Sequence, residues 1–159
     1  MVVYFLRHGP AGSRSEWEGP DDLRPLTDDG RKAVGRAAEA LARAGVVVDA
    51  ILTSPLARAR QTAEIAAAAL GVVHDDLVDD QRLAHGFNAA VLADILAEHR
   101  GQRALMVVGH EPEFSATIGE LTGGSVVMKK AGVARVDLDP AAMRGQLVWL
   151  LAPRILTTL

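Results

Sequence analysis

The sequence predicts an α/β fold built on a mostly parallel sheet, and three observations carry this reading. Short apolar runs at Val2-Val3-Tyr4-Phe5, Ala50-Ile51-Leu52-Thr53 and Ala104-Leu105-Met106-Val107-Val108 alternate with stretches of helical periodicity, the pattern of βαβ units. The run from 104 to 108 is apolar throughout, as expected of a central strand buried on both faces. Beyond residue 125, short strand-like runs separated by turn residues would extend the sheet at its edges, partly antiparallel.

The elements follow in order. Val2 to Phe5 is a first strand, ending at Leu6-Arg7-His8-Gly9. Pro10 to Arg24 is rich in glycine, proline, serine and charge and reads as a loop. Thr27 is a credible helix N-cap, Asp28 and Asp29 suit the positive end of the dipole, and Gly45 is a credible stop. Val34, Ala37, Ala38, Leu41 and Ala42 give that helix one apolar face. After the strand at 50–53, Ser54-Pro55 has the form of an N-cap and first helical residue, predicting a helix to Leu70 with a stop at Gly71. Val72-Val73 could begin a short strand, and Asp75 to Asn88 reads as polar and irregular. Ala89 to His99 is helical by pattern. Gly109-His110-Glu111-Pro112 ends the strand at 104–108 and starts a helix to about Leu121. Val126-Val127-Met128, Gly132 to Leu138 and Gln146 to Leu151 are the strand-like runs of the tail.

The composition narrows the function. The chain has 159 residues, 49% of them apolar, and shows neither a linker-like stretch nor an internal repeat, so a single domain over 1–159 is expected. The first residues lack a charged segment ahead of the apolar run and read as a strand and not as a signal peptide. The apolar stretches are too short to span a bilayer. A cytoplasmic location without membrane association is the expectation. A net charge of −3 argues against general nucleic-acid binding. With no cysteine, a thiolate nucleophile is excluded. The sequence has neither zinc-ligand spacing nor a glycine-rich phosphate loop, so no metal and no cofactor is expected.

The candidate chemistry sits at three strand ends: Arg7-His8-Gly9, the segment Ser54 to Thr62, and Gly109-His110-Glu111-Pro112. If the strands are parallel neighbours, all three ends fall on one sheet edge, where α/β folds bind ligands. Two imidazoles and two guanidiniums would converge there, a pocket for a dianionic phosphoryl group. His8 would be the nucleophile, attacking through one ring nitrogen while the other donates to a fixed acceptor. Arg7 and Arg58 would neutralise the equatorial oxygens with their forks and His110 would add a hydrogen bond. His74 and His99 read as surface residues, Arg60 as a solvated helix residue, and Lys129-Lys130 as an exposed pair that an acidic partner could use.

These motifs, with Arg24-Pro25-Leu26-Thr27, Arg58-Ala59, Gln61-Thr62, Met128 to Gly132 and Trp149 to Arg154, stand in an order that resembles the histidine phosphatase superfamily, and more narrowly its small SixA-type phosphohistidine phosphatase branch. The resemblance covers nearly the whole chain. It implies a three-layer α/β/α sandwich of the phosphoglycerate mutase-like kind, in a small version without lid insertions. It also implies a phosphohistidine intermediate on His8, with Arg7, Arg58 and His110 completing the phosphate pocket and Arg24 near it. Ser54 is expected to serve mainly as a helix cap.

One departure bears on mechanism. Larger relatives carry an acidic proton donor in the region matching Asp79 to Gly86, where this chain has Leu83-Ala84-His85-Gly86. His85 could donate the proton, Asp79 or Asp80 could turn inwards, or no strong acid is needed. An imidazole leaves a phosphoramidate more easily than an alkoxide leaves an ester. With an open pocket, this favours a phosphorylated protein, carrying phosphohistidine, as substrate. A small-molecule phosphomonoesterase of the same superfamily and a non-catalytic phospho-binding module are the competing readings.

Overall fold

The computed structural model describes residues 1–158. The chain runs β1 (Val2–Arg7), α1 (Asp28–Arg43), β2 (Ala50–Thr53), α2 (Ala57–Leu70), β3 (Leu77–Asp79), α3 (Ala89–Glu98), β4 (Ala104–Gly109), α4 (Glu113–Thr122), β5 (Val133–Asp139), β6 (Arg144–Leu151) and α5 (Pro153–Leu156). The strands form one six-stranded sheet in the order β3-β2-β4-β1-β5-β6. The first four are parallel neighbours, while β5 and β6 are antiparallel.

Strand alternation divides the core into two layers. Val3 and Phe5 of β1, with Leu105 and Val107 of β4, pack against Leu92, Ile95 and Leu96 of α3 and Phe114 and Ile118 of α4. Tyr4, Leu6, Met106 and Val108 point the other way, onto Ala37, Ala38 and Leu41 of α1 and Ala59, Ala63 and Ala66 of α2. The alanines let α1 and α2 lie close together over the sheet. The result is the expected α/β/α sandwich on a mostly parallel sheet, small and without a lid insertion among the described residues. No helix among them is long and apolar enough to cross a membrane.

Local chemistry sets most boundaries. Thr27 Oγ1 accepts from Gly30 N at 2.9 Å and starts α1, which Gly45 closes in the left-handed region at φ 77°. Gly71 ends α2 in the same way, at φ 71°.

Four expectations are corrected. First, α2 starts at Ala57, behind Leu56, and not at Ser54-Pro55. Ser54 Oγ is instead shared between His110 Nε2, at 2.8 Å, and Leu56 N, at 3.3 Å. Second, Val72-Val73 is not a strand, and β3 lies inside the stretch read as irregular. It is an edge strand with Val78 42% exposed, so its apolar signal is weak and its backbone pairing with β2 decides the outcome. Third, Val126-Val127-Met128 alternates in burial, with Val127 exposed and Met128 buried, yet pairs with no strand. Met128 N donates instead to Ser115 Oγ at 3.2 Å, and Met128 O accepts from Arg7 Nη1 at 2.8 Å. Fourth, the loop from Pro10 to Arg24 contains two short 3₁₀ turns, Arg14–Glu16 and Asp21–Leu23. The short helix α5 was not anticipated.

Candidate active site

The register of the parallel strands brings the predicted residues together. Arg7 pairs with Gly109 across β1 and β4, so His8 and His110 each stand one residue beyond neighbouring strand ends. Their rings lie 5.2 Å apart, centroid to centroid. Thr53 pairs with Val108, which puts Ser54 beside them. A cavity of about 410 Å³ opens at this edge, lined by Arg7, His8, Arg24, Arg58, His85 and His110 together with Gly12, Arg14, Asp21, Glu111, Glu113 and Lys130. All six side chains singled out from the sequence therefore border one space. Five cationic side chains face three carboxylates around it.

His8 is 8% exposed, and its Nδ1 lies 2.8 Å from the carbonyl oxygen of Gly9. A carbonyl only accepts, so Nδ1 carries the proton and Nε2 keeps its lone pair. Burial lowers the His8 pKa to about 4; the Gly9 bond opposes it, and the nearby charges of Arg58, Arg7 and Lys130 add to the lowering. His110 is lowered to about 3, again by burial first, then by His8, Arg58 and His85. Both rings are neutral near pH 7. The Ser54 hydroxyl beside His110 Nε2 can donate or accept, so it supports His110 in either tautomer. The His85 ring stacks on His110 with centroids 6.3 Å apart.

The two principal guanidiniums are held by their tips. Arg7 Nη1 donates to Met128 O. Arg58 donates from Nη1 to the carbonyl oxygen of Asp21 at 2.9 Å and from Nη2 to its Oδ2 at 3.1 Å. In each case the buried Nε–H has no partner among the described residues, although buried donors are nearly always bonded. Burial pushes both pKa values down, but an arginine stays charged at working pH. The arrangement is two cations lining the cavity beside an imidazole with a free lone pair, which suits an oxyanion with several acceptors.

Other motif residues fasten this arrangement. Thr62 Oγ1 accepts from Gly9 N at 3.1 Å and donates to Arg58 O at 2.7 Å. Gln61 Oε1 accepts from Leu26 N at 2.9 Å, tying the loop to α2. Gly9 is required by packing: a Cβ there would fall 2.4 Å from Val34 Cγ2 on α1.

Asp79 and Asp80 do not turn inwards. Asp79 accepts from Arg60 at 2.9 Å, and Asp80 from Arg82 at 2.6 Å. Arg60 is thus an ion-pair residue, with Glu64 on its other side at 3.0 Å. Sequence reasoning missed Asp21, Arg14, Glu111 and Glu113. Glu111 accepts from Ser115 N at 2.9 Å and from Ser115 Oγ at 2.6 Å. It sits on the charged loop-to-helix step after His110, a signal that could have been followed. Asp21 offered no local signal. Among the described residues no group of three or more histidines and acids could hold a metal ion.

The family model of the histidine phosphatase superfamily (branch 1) matches residues 3–84. The chain belongs to the histidine phosphatase superfamily. An uncharacterized protein of Picosynechococcus sp. is 39% identical over 153 residues, covering 92% of this chain and 89% of that protein. The phosphohistidine phosphatase SixA of Escherichia coli is 28% identical over 156 residues, covering 96% and 94%. The solved structure of the protein histidine phosphatase SixA complexed with tungstate superposes with a TM-score of 0.86 at 25% identity, covering 97% of this chain and 98% of that one. By family and by fold the chain is a phosphatase, and its architecture is SixA-like.

Proposed function

We propose that the protein hydrolyses phosphohistidine on a phosphorylated protein through a covalent phosphohistidine on His8, with residues 1–159 acting as one domain. The observation that carries this reading is the His8 ring. Its proton is fixed on Nδ1 by Gly9 O, which leaves the lone pair on Nε2, and His8 lines a cavity bordered by Arg7, Arg58 and His110. In the first step Nε2 attacks phosphorus, the bond from phosphorus to the leaving imidazole nitrogen breaks, and that nitrogen takes up a proton. In the second step water attacks the phosphoryl group, His8 leaves as the neutral imidazole, and inorganic phosphate is released. Arg7 and Arg58 neutralise the equatorial charge, with His110 as a further donor. Arg24 acts from behind, through Asp21.

His85 is the proposed donor of the leaving-group proton, supported by its place on the cavity wall and its stacking on His110. Asp79 and Asp80 are committed to Arg60 and Arg82. A histidine donor suits a leaving imidazole, which needs less acid assistance than an alkoxide. The open cavity and the exposed Lys129-Lys130 beside it suit a protein substrate. That the tungstate-bound neighbour is a protein histidine phosphatase supports the same substrate class.

Exposure to labelled phosphoramidate or a phosphohistidine protein, followed by a quench, is expected to trap acid-labile phosphate on His8. Arg58→Ala is expected to lose about 10²–10³ in kcat, the usual cost of one preorganised donor. Turnover by His8→Ala at the wild-type rate would overturn the mechanism. A preference for alkyl phosphates over phosphohistidine would overturn the substrate class and leave a small-molecule phosphomonoesterase. Tight phosphate binding without turnover of any substrate would leave a binding module.

A further inference from the structure

We propose that Asp21 is the positioning residue of the phosphate pocket, an inference that rests on the phosphoryl-transfer reading above. Asp21 offers three acceptors, and arginines from two separate parts of the chain fill them. Its carbonyl oxygen and Oδ2 hold the two tips of Arg58, at 2.9 and 3.1 Å, and its Oδ1 accepts from Arg24 Nε at 2.9 Å. Arg24 Nη1 in turn donates to Ala11 O and Gly12 O, both at 3.1 Å. Asp21, through its carboxylate and its carbonyl oxygen, thus connects α2 to the end of the long loop, and Arg24 carries the connection on to the stretch after Gly9.

Two consequences follow for Arg58. A guanidinium has five N–H donors in a rigid plane. With both terminal nitrogens pinned by one residue it cannot swing, and its Nε stays buried without a partner among the described residues. The carboxylate also makes it tolerable to keep two cations close and nearly buried, since the side chains of Arg58 and Arg24 are only 7% and 12% exposed. Arg14, at 3.8 Å, adds a weaker third charge. The hydrogen bond from Arg24, with the charges of Arg58, Arg24 and Arg14, holds the Asp21 carboxyl below its usual range.

Asp21 also borders the cavity itself. Its charge therefore opposes the incoming phosphate dianion while its geometry prepares Arg58 for the transition state. These two effects have opposite signs in a kinetic experiment, and a merely structural role would give neither. Removing the charge in a near-isosteric way leaves ground-state anion binding intact or tighter, while the looser guanidinium slows the chemical step. Misplacement of a catalytic group by about 1 Å can cost about 100-fold.

The test compares wild-type protein with Asp21→Asn, Asp21→Ala and Asp21→Glu, measuring the rate of His8 phosphorylation by phosphoramidate and the affinity for inorganic phosphate by calorimetry. For Asp21→Asn the expected result is a phosphorylation rate lowered about 10-fold to 100-fold, with phosphate affinity equal to or above wild type. Asp21→Ala is expected to be slower still. Asp21→Glu, which restores the charge at a longer reach, is expected to recover wild-type phosphate affinity but only part of the rate. Thermal melting gives the folded fraction used to normalise both readouts. A normalised rate unchanged in Asp21→Asn and Asp21→Ala would overturn the proposal, as would rate and affinity falling together in proportion to the folded fraction. His8→Ala, run in parallel, separates the two levels: phosphorylation persisting in it would overturn the phosphoryl-transfer reading, and its silence beside wild-type Asp21 variants would overturn only the positioning role.

Discussion

Gly9 lies in the Arg7-His8-Gly9 triplet, yet its hydrogen faces the helix layer. A Cβ there would stand 2.4 Å from Val34 Cγ2 and 3.2 Å from Leu26 Cδ2, and Gly9 is not among the residues that line the cavity. At 2.4 Å the two carbons cannot coexist, and Val34 is β-branched and 1% exposed on α1, so its χ1 has little freedom to give way. Gly9→Ala is therefore expected to cost about 1–3 kcal/mol, the usual range for overpacking. Val34→Ala removes the methyl groups that obstruct, at its own cost in lost burial, about 0.8 kcal/mol per methylene-sized group plus a cavity contribution. In the double variant the new methyl occupies space that Val34 vacated. The two effects should then be strongly non-additive, with a favourable coupling of about 1–2 kcal/mol, within the range seen for touching residues. Urea denaturation of the four proteins measures the coupling, and phosphoramidate turnover accompanies it. Additive destabilisation would refute the packing argument. A Gly9→Ala protein of wild-type stability that has lost activity would show that the glycine serves the ligand and not the helix.

Ser54→Ala removes the partner of His110 Nε2 at a fully buried site. We expect about 1–3 kcal/mol of destabilisation from the orphaned polar group and a lowered kcat, read by denaturation and by turnover. Wild-type values in both would refute the role. The depressed pKa values of His8, about 4, and His110, about 3, also make stability depend on pH. Between each folded value and the ordinary value near 6.5 the unfolded chain binds the extra proton, so stability is full above about pH 6.5 and falls as the pH drops toward 4. Two such sites give a limiting slope of about 2.7 kcal/mol per pH unit. Replacing both histidines with asparagine should flatten the melting temperature over that window, and an unchanged profile would refute the assignment.

The elements that were legible in advance are those whose signal is local. Thr27, Gly45 and Gly71 declare helix ends through their own side chains or backbone freedom, and the run at 104–108 declares a doubly buried strand. The convergence of His8, Arg58 and His110 was legible because parallel strands carry their ends to one edge. What could not be read depends on contacts distant in sequence. Asp21 looks like its neighbours Glu16, Glu18 and Asp22, and only the folded loop delivers it to Arg58, 37 residues away. Ser54 has a good local use as a cap, which the demand of buried His110 overrides. Met128 alternates like a strand residue, but its backbone groups are taken by Ser115 and Arg7 instead of a neighbouring strand. The open acid question narrows for the same kind of reason: Arg60 and Arg82 claim the aspartates that the sequence left free.

The wide spacing of the site residues along the chain also concerns how the protein folds. The bonds from Gly9 to Thr62 and from His110 to Ser54 span 53 and 56 residues; the first ties the end of β1 to α2 and the second joins the ends of β4 and β2. Such non-local pairings form late and set the pace of folding. A phosphate-competent pocket therefore exists only once β2, β4 and β1 are side by side, and no hairpin or helix pair can form it in part. Any oxyanion that binds there binds the completed sheet alone, so it slows unfolding and raises the melting temperature by mass action. Protection by such an anion reports that the last strands have docked, a measure of folding that needs no turnover at all.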